Sequence, residues 1–168
     1  MKVFSAVTMA ACLFGTVAAS PQKLPWQNSA NAANSANQQL VHFLYPQQVT
    51  EPAGKAQTVE LHFRVVSGLH VNSHTPRQKG LIPTNLVVGE PSGVKVTGVD
   101  FPAGSEFAFP ADPATKLSIY SGEFVLKMHL VAQPGNHLVQ GVLRYQACDN
   151  STCFPPRTVP VPIDVVAK

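Results

Sequence analysis

From Leu40 to the C-terminus the apolar residues recur at every second position, and that period rules out a helical fold. In Thr58–Val66 the residues Val59, Leu61, Phe63 and Val65 face one way, while Glu60, His62 and Arg64 face the other. In Gly122–Val131 the residues Phe124, Leu126, Met128 and Leu130 alternate with Glu123, Val125, Lys127 and His129. A helix would spread such a set around its circumference, whereas a strand collects it on one face. Both segments therefore read as half-buried strands with a wet face. Further strands are expected at Val41–Tyr45, Leu69–Asn72, Thr84–Val88, Val94–Val99, Leu138–Gln146 and Thr158–Val166, separated by Gly, Pro, Asn and Ser clusters. In the last of these, Val159, Val161, Ile163 and Val165 share a face, with Pro160 and Pro162 in the other register. Proline has no N–H to give to a ladder, so this strand is expected at an edge or donating on one side only. Seven or more short antiparallel strands imply an all-β, immunoglobulin-like antiparallel β-sandwich. No widely separated Cys…Trp…Cys pattern marks it as an antibody-type domain.

Before Leu40 the composition changes twice. Residues 1–19 carry a lone Lys2, an apolar run from Val3 to Val17 and Val17-Ala18-Ala19 at the end. This is the pattern of a secretory signal peptide cut after Ala19. The run is too short for a membrane span, and nothing later approaches about 18 apolar residues. Acylation of Cys12 would leave Leu13-Phe14-Gly15-Thr16-Val17 as an apolar start to the mature chain, so lipoprotein anchoring is not the expectation. Residues 20–39, rich in Asn, Ala, Ser and Gln, read as a disordered polar spacer. Residues 40–168 are then one domain, long enough to bury a real core. Loss of Lys2 takes the formal charge of +3 to about +2, which calls for no strongly charged partner. The chain has no basic stripe, and its one tryptophan, Trp26, lies in the spacer, so nucleic acid is not expected as a partner.

The exported chain keeps two of the three cysteines, Cys148 and Cys153, and an oxidising compartment makes a disulfide between them chemically reasonable. They flank Asp149-Asn150-Ser151-Thr152 between two expected strands, as residues opposed across a hairpin do. Such residues bring their Cα atoms to about 5.5 Å, the distance a disulfide requires. The loop is short, so reduction removes little constraint from the unfolded chain and leaves the scaffold intact. Phe154-Pro155-Pro156 then stiffens the backbone after Cys153. Spacing alone leaves two readings open, a hairpin staple and a redox centre. The neighbouring charges do not decide, since Asp149 would raise a thiol pKa and Arg157 would lower one.

The run Tyr145-Gln-Ala-Cys148…Cys153-Phe-Pro-Pro156-Arg-Thr-Val-Pro160 closely resembles the N-terminal periplasmic domain of the DsbD family of thiol:disulfide interchange proteins. The resemblance continues through Gly68-Leu-His-Val-Asn-Ser-His74, Leu81-Ile-Pro-Thr84 and Ile119-Tyr-Ser-Gly-Glu123, over roughly residues 40–166. It implies an immunoglobulin-like domain whose cysteine pair relays reducing equivalents from a membrane thiol carrier of the DsbD/CcdA type to periplasmic thioredoxin-fold proteins. On that basis Cys153 forms mixed disulfides with partners and Cys148 resolves them, with no cofactor beyond the redox-active disulfide. The family shields its pair with a cap loop bearing a Glu-Phe step. Here that step is Glu106-Phe107 in Ser105-Glu-Phe-Ala-Phe109, so Phe107 is the cap candidate, Phe109 a second shield, and Glu106 a group that could tune the thiol. His70, Asn72, Tyr145 and Phe154 are expected to form the neighbouring wall. Two departures stand out. The chain ends at Lys168, so its redox partners are expected on separate polypeptides. The strand after Gly68, tyrosine-rich in the family, here carries His70 and Asn72, which puts a proton-handling role for that wall in doubt.

Two other constellations carry less. His70 and His74 lie about 13 Å apart on a strand, too far to share a metal ion, and read as solvent-facing side chains. Asn150-Ser151-Thr152 matches a glycosylation sequon inside the cysteine loop, where a glycan would block exchange, and is taken as chance. No Ser/His/Asp triad, phosphate loop or carboxylate pair emerges from spacing. Outside thiol exchange, the alternatives are a non-catalytic cell-envelope interaction module stapled by its disulfide and, more remotely, copper or zinc carriage.

Overall fold

The computed structural model describes residues 38–44 and 48–168. The expected signal peptide, the spacer as far as residue 37 and Tyr45 of the first expected strand lie outside the described residues. Gln39–Lys168 forms a compact unit. Every regular element among the described residues is a strand: β1 (Val41–Leu44), β2 (Gln48–Glu51), β3 (Ala56–Val65), β4 (His70–Asn72), β5 (Asn85–Val88), β6 (Val94–Asp100), β7 (Ser105–Phe109), β8 (Asp112–Tyr120), β9 (Glu123–Ala132), β10 (Gly135–Tyr145), β11 (Ala147–Cys148) and β12 (Arg157–Ala167).

They form three four-stranded sheets, in the orders β1-β3-β9-β6, β2-β12-β10-β5 and β11-β4-β8-β7. The first two make the sandwich. Their inward residues are those the alternation marks: Val59, Leu61, Phe63 and Val65 on β3, Phe124, Leu126, Met128 and Leu130 on β9, and Val159, Val161, Ile163 and Val165 on β12 are all buried. Side chains of this size contribute about 1.5–3 kcal/mol each on full burial, so the immunoglobulin-like sandwich is held by its own core. An aromatic row crosses it. Phe43, Phe63 and Phe124 are cross-strand partners, with ring centroids 5.3 Å apart at each step. Tyr120 of β8 continues the stack at 4.8 Å from Phe124, tying the third sheet to the sandwich.

The proline-bearing strand needs a correction of detail. β12 is not an edge strand over its whole length. It pairs with β10 from Arg157 to Ala167, and at Asp164–Ala167 its other side is covered by β2, in parallel. Pro160 and Pro162 fall in the part that β2 leaves uncovered, so there the strand is laddered on one side only. Both prolines are exposed while their neighbours are buried.

Four strands have no counterpart in the expected set: β2, β7, β8 and β11. β2 has a single apolar residue, Val49, and takes its place by pairing with β12. β8 opens with an exposed, proline-containing stretch that shows no alternation. β7 shows no alternation of burial either, being exposed at Ser105 and Glu106 and half-buried from Phe107 to Phe109, and the segment expected as a cap loop is instead a strand paired to β8. The expected Leu138–Gln146 strand ends at Tyr145, because Ala147 and Cys148 leave the sandwich as β11 and pair with β4.

Candidate functional site

The third sheet carries the cysteines, and its two faces do different work. Val71, Tyr120 and Ala147 point to the sandwich and belong to the core cluster. The opposite face collects the other register. His70 is opposed to Cys148, Asn72 to Ile119, and Phe107 to Leu117, and directly opposed residues share a face. Cys148, His70, Asn72, Leu117 and Ile119 are all buried there.

The β10–β12 ladder stops at Tyr145 and Arg157, and Pro155-Pro156, lacking N–H donors, cannot extend it. The connection instead makes a small hairpin of its own. Asp149 N donates to Thr152 O at 2.9 Å, and Phe154 N donates to Ala147 O at 2.8 Å. These two bonds flank an antiparallel bridge between Cys148 and Cys153, which makes the cysteines a non-hydrogen-bonded pair. At that position opposed Cα atoms come closest, about 4.5 Å in a regular ladder. The two cysteines are disulfide-bonded with Cα atoms 3.9 Å apart, nearer than the distance expected from an average disulfide.

The two sulfurs sit in unequal surroundings. Cys148 is 0% exposed, whereas Cys153 is on the surface. The loop between them is tied down by Asp149, whose Oδ1 accepts from Ser151 N at 2.7 Å, Ser151 Oγ at 2.9 Å and Thr152 N at 2.7 Å. These bonds, Ser151 N first, hold the Asp149 carboxyl below its ordinary pKa. Spacing showed Asp149 only as a nearby charge; its loop-closing role follows from the Asx-turn chemistry of an Asp two residues before a serine. At the hairpin base, Gln146 Nε2 donates to Phe154 O at 3.3 Å, and Asn72 Nδ2 donates to Gln146 Oε1 at 3.4 Å and Ile82 O at 3.0 Å. Gln146 is thus a positioning residue that the spacing did not single out.

Of the four expected wall residues, two share the face of the pair and a third adjoins it in the chain. His70 and Asn72 lie on its face, and Phe154, half-buried, follows Cys153 directly and packs on the core. Tyr145 does not join them. Alternation along β10 turns it inward, where it is 1% exposed and its hydroxyl accepts from Leu40 N at 3.2 Å. His70 also departs from the solvent-facing expectation, being 3% exposed. Phe107 covers its ring at a centroid distance of 4.4 Å, Phe109 stands at 6.1 Å, and the two phenylalanines meet edge-to-face at 5.4 Å. Burial pushes the His70 pKa below the usual imidazole value, against a smaller upward pull from Asp149. His74 is held by stacking on Phe101 at 3.8 Å and by a 3.0 Å contact between its Nδ1 and Thr84 O.

Glu106 lies on the face of β7 opposite Phe107. Its carboxylate meets Arg77 at 2.8 Å and Lys116 at 3.3 Å, and these partners, Arg77 first, lower its pKa. A carboxylate engaged by two cations has little unbalanced charge left to act on a thiol. Before β7, Gly104 rests on the Ser73–Ser118 hydrogen bond of 2.8 Å. A Cβ at Gly104 would run into Ser118 Oγ and Ser73 Cβ, so the approach to the cap strand depends on that glycine.

A hydroxyl–imidazole–carboxylate chain also appears, on the outer face of the first sheet. Thr58 Oγ1 meets His129 Nδ1 at 2.9 Å, and His129 Nε2 meets Asp100 Oδ2 at 2.8 Å. It joins β3, β9 and β6 on a flat ladder whose amides are committed to strand pairing, which offers no oxyanion-binding donors. Among the described residues no cluster of three or more His, Cys, Asp or Glu could hold a metal ion, and no helix is long and apolar enough to cross a membrane.

The family model of the N-terminal part of the thiol:disulfide interchange protein DsbD matches residues 40–164. The N-terminal periplasmic domain of ScsB from Proteus mirabilis aligns with a TM-score of 0.50 and 16% identity, over 74% of this chain and 44% of that one. The chain therefore spans less than half the length of that structure. The reduced DsbD N-terminal domain of Neisseria meningitidis aligns at 18% identity with a TM-score of 0.43, over 66% of this chain and 79% of that one. A complex between the DsbD and PilB N-terminal domains of Neisseria meningitidis gives 18% and 0.43, over 67% and 78%. At 16% identity the ScsB structure speaks for the fold alone. No curated protein matches the sequence.

Proposed function

The chain belongs to the family of the N-terminal domain of the thiol:disulfide interchange protein DsbD, and from that membership we propose that it is a periplasmic thiol–disulfide exchange module. It relays reducing equivalents between a membrane thiol carrier and thioredoxin-fold proteins through Cys148 and Cys153. The observation that carries this reading is the asymmetry of the pair, one cysteine an exposed residue and its partner fully buried, in a hairpin outside the sandwich core.

In the reduced domain the Cys153 thiolate attacks one sulfur of the partner's disulfide. A Cys153–partner bond forms, the partner's S–S bond breaks, and its second sulfur leaves as a thiolate. Cys148, deprotonated, then attacks Cys153 Sγ, restoring the Cys148–Cys153 bond and releasing the partner's first sulfur. Two electrons pass to the partner, and no dissociable cofactor takes part. Phe107, supported by Phe109, shields the buried end of the pair by covering His70, the cross-strand neighbour of Cys148.

The test is a glutathione redox titration of the mature protein together with a Cys148→Ala trap. A readily reduced pair, with Cys153 captured in mixed disulfides by thioredoxin-fold proteins, is the expected result. A potential well below about −300 mV with no captured partner would mark the bond as a staple, and the domain as a non-catalytic interaction module.

A further inference from the structure

Resolution of the mixed disulfide requires a proton to leave Cys148, and this thiol is buried. A buried thiol resists ionisation, and water cannot take its proton where the sulfur is 0% exposed. The structure holds an acceptor for it. His70 is opposed to Cys148 across β4 and β11, so the two side chains share a face as nearest cross-strand neighbours. The His70 ring is 3% exposed and lies beneath Phe107. Its Nε2 is buried and makes no hydrogen bond. Buried polar atoms in native proteins are nearly always paired, so an orphan of this kind calls for an explanation. A disulfide has no hydrogen to offer it, whereas reduction creates an S–H at the neighbouring position.

We propose that His70 Nε2 accepts the proton of the Cys148 thiol as that sulfur attacks Cys153, making His70 the general base of the resolving step. The inference rests on the exchange reading above. In the step, the Cys148 S–H bond breaks and an N–H bond forms at His70 Nε2. The Cys148–Cys153 bond forms while the Cys153–partner bond breaks, and the departing sulfur leaves with the electron pair. The imidazolium then gives its proton to the departing thiolate or to solvent. The groups around the ring suit the role. Phe107 and Phe109 of β7 carry no charge, and Glu106 is turned to the other face. Asp149, just beyond β11, is the charged group acting on His70, and burial outweighs it. At neutral pH the imidazole is therefore unprotonated and able to accept.

The experiment mixes the reduced protein with one equivalent of 5,5′-dithiobis(2-nitrobenzoate) and follows aromatic thiolate release in a stopped-flow instrument. The first release reports attack by the exposed thiol and the second reports resolution; Cys148→Ala, which abolishes the second, assigns them. His70→Gln is expected to slow the second release by about 100-fold at pH 7, the low end for a general base, and to leave the first unchanged. In the wild-type protein the second release should be nearly level in rate from about pH 7 to 8, because burial lowers the His70 pKa and a neutral imidazole is already in place. Equal effects on both releases would overturn the proposal, as would a wild-type rate rising about tenfold per pH unit toward the ordinary thiol pKa of about 8.5. The wild-type profile decides the matter if His70→Gln fails to fold. The reagent is not a protein partner, so failure to capture thioredoxin-fold proteins would sink the exchange reading without touching these rates.

Discussion

Reducing the disulfide should leave the domain folded, and the loss can be bounded from the structure. The bond links residues five apart, closing a ring of six. Loop-closure entropy for such a ring is about 7 cal/mol/K, or about 2 kcal/mol at 25 °C. Domains of this size are stable by about 5–15 kcal/mol, so the bond supplies a minor share. The remaining stability comes from the two sandwich sheets, whose buried residues on β3, β9 and β12 lie outside the cysteine hairpin. With an unfolding entropy of about 2.1 cal/mol/K per residue over about 130 residues, 2 kcal/mol corresponds to a fall of about 7 °C in Tm. Urea and thermal unfolding, with and without dithiothreitol, measure this directly. The expected result is a cooperative transition in both states, with an unchanged m-value and a loss no larger than about 2 kcal/mol. A loss above about 5 kcal/mol, or a broad non-cooperative melt on reduction, would refute the reasoning. It would mean that the hairpin organises the core and that the bond is a staple.

Four further outcomes follow from particular contacts. Phe107→Ala, by uncovering His70 beside Cys148, should raise the alkylation rate of the reduced protein; an unchanged rate removes the cap assignment. Gly104→Ala should cost about 1–3 kcal/mol through overpacking against Ser118 and Ser73 and raise alkylation in the same way, and a neutral melting curve would contradict the close fit. Tyr145→Phe leaves the buried Leu40 N–H without its acceptor and should cost about 1–3 kcal/mol in a urea titration, with thiol reactivity unaffected because Tyr145 lies in the core. Asp149, with its folded pKa lowered, contributes to loop order fully above its unfolded pKa and loses that contribution as pH falls through the folded value. Amide shifts of Ser151 and Thr152 should therefore titrate with a midpoint below that of an ordinary aspartate, and a midpoint at or above it would contradict the three hydrogen bonds.

Period two was enough to place the sandwich strands, because each core strand has one face in oil and one in water, and the chain must record that difference residue by residue. The same rule fails at the site. β8 begins in solvent, β2 and β11 are too short to show a period, and both faces of β4 are buried, so His70, Val71 and Asn72 carry no alternation to read. Isolated histidines are mostly wet, which made His70 look exposed. Its burial comes from Phe107, 37 positions later in the chain, folding over it. Tyr145 shows the converse, since it was expected in the wall beside the pair, yet the β10 alternation already pointed its ring inward.

The sequence by itself therefore determined an all-β sandwich, the inward register of its core strands, and a lone cysteine pair in a short loop that the core does not require. Local pattern suffices for these, because burial against a partner sheet needs only the right face. Only the tertiary structure decided which cysteine is exposed, that the hairpin leaves the sandwich to pair with β4, and that a buried imidazole lies beside the hidden thiol. Those depend on which distant strands meet, and pairing across a third sheet leaves no periodic trace in any one of its short segments.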